Sequence, residues 1–559
     1  MWARIHPGWC DGLSAKEAHV KALEERYAQL FYLLQRRHID FDYGDEGLMA
    51  EHAAAEGKRL RVGQARYDAV LVCGLDTVRG TTERMLREFA AGGGRLIVCG
   101  EAPKAVDCLP GGPEWPQAIR IPFEEEALAA ALREYEVASL PLPGGEPARD
   151  ILCQAKRVAG ETRLLLLNDN REAAVNGVEL SIAGHGPVTR FIPETGELER
   201  LPARESEGAV HVRLDFAPKA MLLLSIGGAY PEAKAPRVCQ TIARQECAAS
   251  ALRYELAEPN LCVLDQASVS LNGGAWSEEL EILKADRHVR DAFHLPYRGG
   301  EMLQPWFIGQ RDLPVCGEAA LRFSFEVETL PEGPLYLVME EIQNFTTELN
   351  GTRLAQTVSG FSWVDACFSA YEVPASLLHL GRNEVILRTG YRESSNLEAL
   401  YLMGNFGVRL DGARRTLTAL PATLRVGSVT EQGLPFYSGK LTYLVPAPQW
   451  AEKGGRTVLE MGRFAGACVT LEGNGKRAMI AWQPYEADVT GMVENGVLRV
   501  TDVLTRRNTF GPLHQVPALA YAYGPENFET TGDRFSPAYS LVEAGLMETP
   551  AFRLEVPEK

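Results

Sequence analysis

The sequence lacks any apolar run long enough to cross a bilayer. Its longest apolar runs, such as Ala69–Cys73 and Leu164–Leu167, have the length of strands, whereas a membrane-spanning helix needs about 20 residues. The N-terminus also lacks the basic segment, apolar segment and cleavage site of a signal peptide. These absences predict a cytoplasmic protein that has no membrane partner.

Basic residues are also scarce. The 559 residues include 57 Lys and Arg against 74 Asp and Glu, which gives a formal net charge of −17. Binding to a nucleic-acid backbone needs clustered basic side chains that displace counterions. No domain-sized stretch of this sequence has such a cluster, so we expect no nucleic-acid partner.

The cysteines lack the spacing of a metal site or a disulfide framework. The 11 cysteines are scattered, with no CxxC pair and no Cys/His cluster at zinc spacing. We therefore expect reduced thiols, no bound metal and no cofactor. Cys99 follows a predicted strand, as the nucleophile of an amidotransferase does, but the next histidine is His185. Without a nearby base, Cys99 is predicted to be an inert buried thiol.

The length predicts roughly three to four domains. Residues 1–145 alternate helices with apolar strands, which is typical of a flavodoxin-like, doubly wound α/β domain with a parallel sheet. The predicted helices are Ser14–Arg37, Leu48–Glu56 and Thr81–Ala91, and the predicted strands are His38–Tyr43, Tyr67–Cys73 and Arg95–Cys99.

The remainder of the chain has the short, closely spaced strands of all-β domains. Six strands between 146 and 229 predict a small Ig-like β-sandwich, and 230–260 is predicted to be a linker. The ranges 261–412 and 413–559 repeat one order of motifs, in which Asn350-Gly351 and Asn474-Gly475 hold corresponding places. Asn-Gly is a hairpin-turn signal, so two further β-sandwiches are predicted.

Several motifs resemble glycoside hydrolases. The segments Phe436–Tyr443, Trp482–Thr490 and Asn508–Pro512 resemble the sugar-binding jelly-roll domain of glycoside hydrolase family 2. The repeat unit that ends at Tyr401–Gly407 is similar to the C-terminal sandwiches of α-L-rhamnosidases of family 106. The runs 67–72 and 92–98 resemble the amidotransferase-like domain of such enzymes, which is akin to the β-galactosidase trimerisation domain.

This resemblance implies two jelly-roll, galactose-binding-like sandwiches and a role in O-glycosyl hydrolysis. In the family, catalysis takes place in an (α/β)8 barrel of about 250 residues, and the α/β part of this chain is too short for one. We therefore expect the accessory, sugar-binding part of a glycosidase, whose partners are a carbohydrate and either a separate catalytic barrel or a second copy. Two alternatives stay open: a self-sufficient glycosidase that uses Asp and Glu of the N-terminal domain, and a structural module without ligand.

The densest acidic cluster is 40–46. At the carboxyl end of a predicted parallel strand, Asp42 and Glu46 are the catalytic candidates and Asp40 a candidate for binding substrate. The alternative is that these acids cap the next helix. A calcium loop is only partly matched, because Gly44 and Asp45 stand in the reverse of the order that such a loop requires.

Aromatic side chains around the two sandwiches are candidates for stacking on sugar rings. The candidates are Trp306, Trp363, Trp482 and Tyr485, each with the alternative of a place in the core. Adjacent Glu340 and Glu341 are predicted to point to opposite faces of a strand, and so not to act as a pair.

Overall fold

The computed structural model describes residues 18–248, 250–297, 313–452, 455–519 and 524–558. The chain divides into two compact units, Met1–Arg237 and Val238–Lys559, and each is described here by itself. The structure is mostly β. Among the described residues, no helix combines the length and the apolar character that crossing a membrane would require.

The first unit begins with an α/β domain around a parallel three-stranded sheet of order β4-β6-β9. Leu96 and Val98 lie in a core cluster with α3, whereas Ile97 and Cys99 lie in a second cluster with α1 and α4. Helices therefore cover both faces of the sheet. The elements are α1 (Ala18–Arg36), α2 (Glu46–His52), β1 (Ala53–Glu56), β2 (Arg59–Val62), β3 (Ala65–Tyr67), β4 (Ala69–Cys73), β5 (Thr77–Val78), α3 (Gly80–Ala91), β6 (Arg95–Cys99), β7 (Ala105–Val106), β8 (Leu109–Pro110), β9 (Ile119–Ile121) and α4 (Glu125–Leu132).

Two local predictions in this domain differ from the structure. The range 38–43 is not a strand and makes only an isolated bridge from Ile39 to Glu136, because the carboxylates of this range bond to other elements. The range 53–56, predicted as the end of a helix, is a strand instead. The turn at Gly57, with a φ of +62°, pairs it with β2.

The first unit continues as a sandwich of two antiparallel sheets, of orders β10-β11-β17-β13-β14 and β12-β16-β15. Their apolar side chains share one buried cluster. The structure contains the six predicted strands and two short ones, β14 and β15, that have no fully buried side chain. The strands are β10 (Ile151–Val158), β11 (Glu161–Asn168), β12 (Val175–Ala183), β13 (Val188–Ile192), β14 (Glu197–Leu201), β15 (Arg204–Ser206), β16 (Ala209–Phe216) and β17 (Met221–Ile226).

The second unit contains two β-sandwiches, each with its own buried core. Their strands run in chain order as β18 (Cys239–Glu246), β19 (Arg253–Leu256), β20 (Asn260–Leu264), β21 (Gln266–Leu271), β22 (Leu280–Glu281), β23 (Gly317–Val327), β24 (Glu332–Glu340), β25 (Thr346–Leu349), β26 (Thr352–Leu354), β27 (Phe368–Val373), β28 (Gly381–Tyr391), β29 (Leu400–Asn405), β30 (Gly407–Asp411), β31 (Arg414–Thr418), β32 (Lys440–Pro446), β33 (Arg456–Glu460), β34 (Phe464–Ala465), β35 (Cys468–Gly473), β36 (Lys476–Ile480), β37 (Glu486–Asp488), β38 (Val497–Val503), β39 (Gly545–Leu546) and β40 (Ala551–Pro557). The helices are α5 (Ile282–Ala292), α6 (Arg507–Phe510) and α7 (Pro525–Phe528).

The two sandwiches have the same strand order. In the first sandwich, β20-β29-β24-β27 faces a sheet whose central strands run β21-β23-β28-β25-β26; in the second, β18-β40-β33-β37 faces β19-β32-β38-β35-β36. The repeat that the sequence predicted is therefore a repeat of topology. Both Asn-Gly turns have positive φ at both residues, with φ of +48° at Asn350 and +49° at Asn474, as a type I′ hairpin requires.

The first sandwich is inserted into the second. The range 230–260, predicted as a linker, carries β18 and β19, which pair with β40 and β32 of the second sandwich. The chain then builds the whole first sandwich before it returns at β32. The sequence gives little sign of this, because β18 is an edge strand with mostly exposed side chains and no apolar alternation.

Candidate functional site

A pocket in the first sandwich is lined by three carboxylates. Glu340 ends β24, Glu341 follows it, and Glu398 precedes β29. Apolar side chains of the core form the base of the pocket, and Asn396 lies on its wall. The remaining lining residues are Leu321, Phe323, Met339, Phe345, Leu387, Leu397, Ala399 and Leu400.

The local backbone explains why adjacent glutamates reach the same pocket. Strand alternation predicted opposite faces for Glu340 and Glu341, but β24 ends at Glu340 and Glu341 takes a left-handed conformation with a φ of +46°. Alternation holds only within a strand. Both residues therefore line the pocket, and this part of the prediction was wrong.

A buried arginine positions the loop that carries the other two polar groups. Arg290 of α5 is completely buried, and its Nε donates to Asp286 Oδ2 at 2.7 Å. Its Nη2 donates to the backbone oxygens of Glu393 and Ser395 at 3.2 and 3.0 Å. These carbonyls directly precede Asn396. The ion pair therefore holds the loop whose side chains enter the pocket.

The pocket is rich in hydrogen-bond acceptors. The Oδ1 atom of Asn396 is buried and has no hydrogen-bond partner among the described residues. Burial raises the pKa of the Tyr401 hydroxyl well above its usual range, and the charges of Glu398, Asp265 and Glu340 add to this effect. Burial, together with Glu340 and Asp365, raises the pKa of Cys367 to about 11. The local potential is thus negative, and the Cys367 thiol stays protonated at neutral pH.

Trp363 belongs to an aromatic cluster beside this pocket. Its ring centroid lies 5.0 Å from that of Phe368 and 5.3 Å from that of Tyr401, and Phe368 is the cross-strand partner of Glu340. The indole Nε1 donates to Glu258 Oε2 at 2.9 Å. Trp363 is half-buried and does not itself line the pocket; Phe368 connects it to the strand that carries Glu340.

A second polar cluster joins loops of the two sandwiches. His514 Nε2 lies 3.1 Å from Asp265 Oδ2, and His514 Nδ1 lies 2.9 Å from the backbone oxygen of Ser536. Tyr539 donates to Asp265 Oδ1 at 2.7 Å. Burial alone lowers the pKa of His514, but the hydrogen bond and charge of Asp265 outweigh it and raise that pKa. Because both ring nitrogens face acceptors, the geometry fits an imidazolium.

A second carboxylate near this cluster has a strongly perturbed pKa. Glu281 caps α5 by accepting from the backbone nitrogens of Leu283 and Lys284. Burial raises the pKa of Glu281 to about 7, and the charge of Asp265 adds to that effect. Asp265 and His514 are buried and Arg415 donates to the Tyr539 hydroxyl at 3.1 Å, so we assign the cluster to holding the two sandwiches together.

The acidic cluster of the first unit makes local structural contacts. Asp40 Oδ2 accepts from the backbone nitrogen of Ala155 at 3.2 Å. Asp42 Oδ2 accepts from the Tyr67 hydroxyl at 2.6 Å, and Glu46 Oε1 accepts from a backbone nitrogen at the start of α3 at 2.8 Å. The three candidates thus contact three different elements. Asp45 caps α2, as the alternative interpretation of this segment expected.

Two of the other aromatic candidates, Tyr485 and Trp482, are not among the residues that line the pocket. Tyr485 packs on Phe464 at 4.9 Å between centroids, against the core of the second sandwich. Trp482 is half-buried in the turn between β36 and β37. Trp306 lies outside the described residues. Among the residues that are described, no group of three or more His, Cys, Asp or Glu side chains is arranged to hold a metal ion.

Sequence reasoning missed Asn396 and Glu398. Both lie in the irregular segment between β28 and β29, where no periodicity marks a side chain as inward-facing. A usable signal is the run Ser394-Ser395-Asn396, since polar loop residues next to a strand are frequent in binding sites.

Parts of the chain are similar to solved glycoside hydrolases. A rhamnosidase from Novosphingobium sp. PP1Y matches with 18% identity over 65% of this chain and 36% of that chain, at a TM-score of 0.27. An exo-carrageenase GH42 from Bacteroides ovatus matches with 12% identity over 35% of this chain and 26% of that one, at 0.23. A β-D-mannosidase from Dictyoglomus thermophilum matches with 10% identity over 44% and 31%, at 0.17.

The match spans about a third of the length of these solved chains. No family model matches the chain, and no curated protein matches its sequence.

Proposed function

We propose that this chain binds carbohydrate at the acidic pocket of the first sandwich and serves glycoside hydrolysis as an accessory part. The observation that carries the proposal is the meeting of three carboxylates with the unpartnered Oδ1 of Asn396. Sugar hydroxyls are hydrogen-bond donors, and carboxylate and amide oxygens are acceptors. The mouth of the pocket therefore offers acceptors to the hydroxyl groups of a neutral sugar.

The aromatic edge beside the pocket adds the second element of sugar recognition. Trp363 is fixed by its hydrogen bond to Glu258 and by its ring contacts, so it is held in place before any ligand arrives. Preorganised groups bind more tightly because less ordering is needed on binding. A sugar ring that places its hydroxyls against Glu398 and Asn396 then has an apolar face next to it.

Calorimetry tests this proposal with L-rhamnose and D-galactose as probes. The full chain is expected to bind at least one of them saturably, and Glu398→Gln to weaken that binding by tenfold or more, since a hydrogen bond to a charged group contributes about 1.5–3 kcal/mol. The matched control is Glu372→Gln, an exposed acid of the same sandwich, which is expected to bind as the natural chain does. Equal loss in both variants, or none in either, contradicts the assignment of the pocket.

The proposed accessory role is separated from catalysis by an assay on 4-nitrophenyl glycosides. Hydrolysis of a glycosidic bond by paired carboxylates is not expected from the chain alone, because Asp42 and Glu46 contact different elements. Turnover that disappears in both Asp42→Asn and Glu46→Gln would instead support a self-sufficient glycosidase. If the chain alone shows no turnover, the next experiment adds a separate catalytic barrel or tests for assembly with a second copy.

A further inference from the structure

Two thiols of the first unit face each other across neighbouring strands. The parallel strands β4 and β6 pair so that Cys73 is the direct partner of Cys99, at the carboxyl ends of both strands. Cys99 is 1% exposed and Cys73 is half-buried, and both are free thiols. Register partners project to the same face of a sheet, and both side chains pack in the same core cluster.

The backbone separation suits a covalent bond between them. Neighbouring strands lie about 4.7–4.9 Å apart, which falls within the Cα separation of about 4.4–6.8 Å that disulfides span. We propose that Cys73 and Cys99 form a reversible disulfide, made by exchange with a small-molecule disulfide such as glutathione disulfide. The two strands are already held in register by the sheet, so the disulfide requires movement of the side chains and no change of fold.

The environments of the two thiols assign their roles. The neighbouring Cys99 thiol lowers the pKa of Cys73, and the charge of Arg26 lowers it further. The neighbouring Cys73 and burial raise the pKa of Cys99 far above its usual range. The thiolate is the attacking species in exchange, so Cys73 reacts first. Cys99, which the sequence presented as inert, is the resolving thiol.

The exchange is balanced over two steps. The Cys73 thiolate attacks one sulfur of glutathione disulfide, forms a mixed disulfide and releases one glutathione thiolate. Cys99 then loses its proton and attacks the Cys73 sulfur, which releases the second glutathione. The protein dithiol is oxidised by two electrons, and the oxidant is reduced to two glutathione molecules.

The test uses the full chain with glutathione disulfide as the probe, followed by alkylation under denaturing conditions and peptide mass spectrometry without reduction. The expected result is a cross-linked pair of peptides that contain Cys73 and Cys99, lost on treatment with dithiothreitol. In Cys99→Ser, Cys73 is expected to accumulate the mixed disulfide. In Cys73→Ser, Cys99 is expected to stay alkylatable.

The control variant is Cys108→Ser, which removes an exposed thiol of the same unit and should leave the cross-link unchanged. Measurement on the natural chain needs no variant, so a folding defect does not obscure the outcome. Recovery of Cys73 and Cys99 fully alkylated, under conditions where the exposed Cys108 has formed its mixed disulfide, would overturn the proposal. Linkage of either thiol to a different cysteine would overturn it as well.

Discussion

Asp502 gives the sharpest test of the energetics of the second sandwich. Its side chain is completely buried on β38, and both carboxylate oxygens lack a hydrogen-bond partner among the described residues. A Cβ atom on Gly466 would lie 1.8 Å from Asp502 Oδ1, so the carboxyl group fills space that only a glycine leaves open. Burial raises the pKa of Asp502 to about 7.

The sign of the effect follows from linkage. An aspartate whose pKa is higher in the folded than in the unfolded state binds its proton more tightly when folded, so the free energy of unfolding falls as pH rises between the two values. From 3.8 to about 7, at about 1.36 kcal/mol per pH unit, the full loss is about 4 kcal/mol. Between pH 5 and pH 8 the expected loss is about 3 kcal/mol.

Asp502→Asn removes this titration while it keeps the shape of the side chain. Hydrogen exchange of the peptide that covers β38 is the suitable measurement, since a chain with several domains does not unfold in one step. The protection of this peptide in the natural chain is expected to fall from pH 5 to pH 8, after correction for intrinsic exchange. In Asp502→Asn the fall should be smaller by about 3 kcal/mol.

The matched control is Asp488→Asn on β37 of the same sandwich. Burial raises the pKa of Asp488, but hydrogen bonds from Thr490 and Arg456 outweigh burial and lower it below its ordinary value. Asp488 therefore titrates below the ordinary range of an aspartate, and this variant should keep the slope of the natural chain between pH 5 and pH 8. The same slope in Asp502→Asn and in the natural chain would refute the reasoning.

Three further predictions concern single contacts. The pKa of His514 is raised in the folded state, so its pairing with Asp265 stabilises the fold fully below pH 6.5, and this stabilisation is lost as pH rises through the pKa of the folded state. His514→Gln should flatten the pH dependence of the free energy of unfolding measured from pH 5.5 to pH 8.5. Arg290→Met leaves Asp286 buried without its ion pair. The free energy of unfolding of the first sandwich is therefore expected to fall by about 3–5 kcal/mol, measured through a lower denaturant midpoint. Asn474→Val places a β-branched residue at a φ of +49° and should cost about 1–2 kcal/mol, whereas Asn474→Gly should cost less in the same measurement.

Local patterns predicted many elements because their causes are local. The strands Arg95–Cys99 and Val188–Ile192 have the bounds that apolar runs between turn residues predicted. The Asn-Gly turns form because asparagine and glycine tolerate the positive φ that a two-residue hairpin needs. These features depend on a few neighbouring residues, so a single sequence contains enough information.

Local sequence patterns could not predict the contacts between segments that are distant in the chain. Strand β18 has side chains that are mostly exposed on both faces, so its partner β40 is the main reason that it is a strand. The pocket depends in the same way on Arg290, which holds the loop before Asn396 from another element. Of the sequence candidates, Trp363 lies near the pocket, whereas Glu398 and Asn396 were identified as pocket residues only from the structure.

The insertion of one sandwich into the other also orders their assembly. The second sandwich closes only when β18 pairs with β40, near the two ends of the unit. The entropy of closing a loop rises with its length, and the first sandwich, once folded, shortens the effective loop. Buried Asn260 stands at this crossing, since its Nδ2 donates to Phe406 O at 2.7 Å and to Gly433 O at 3.1 Å and so ties the incoming strand to the outgoing chain. We infer that a folded first sandwich lowers the entropic cost of closing the second, and hence that the pocket-bearing sandwich supports the stability of its neighbour.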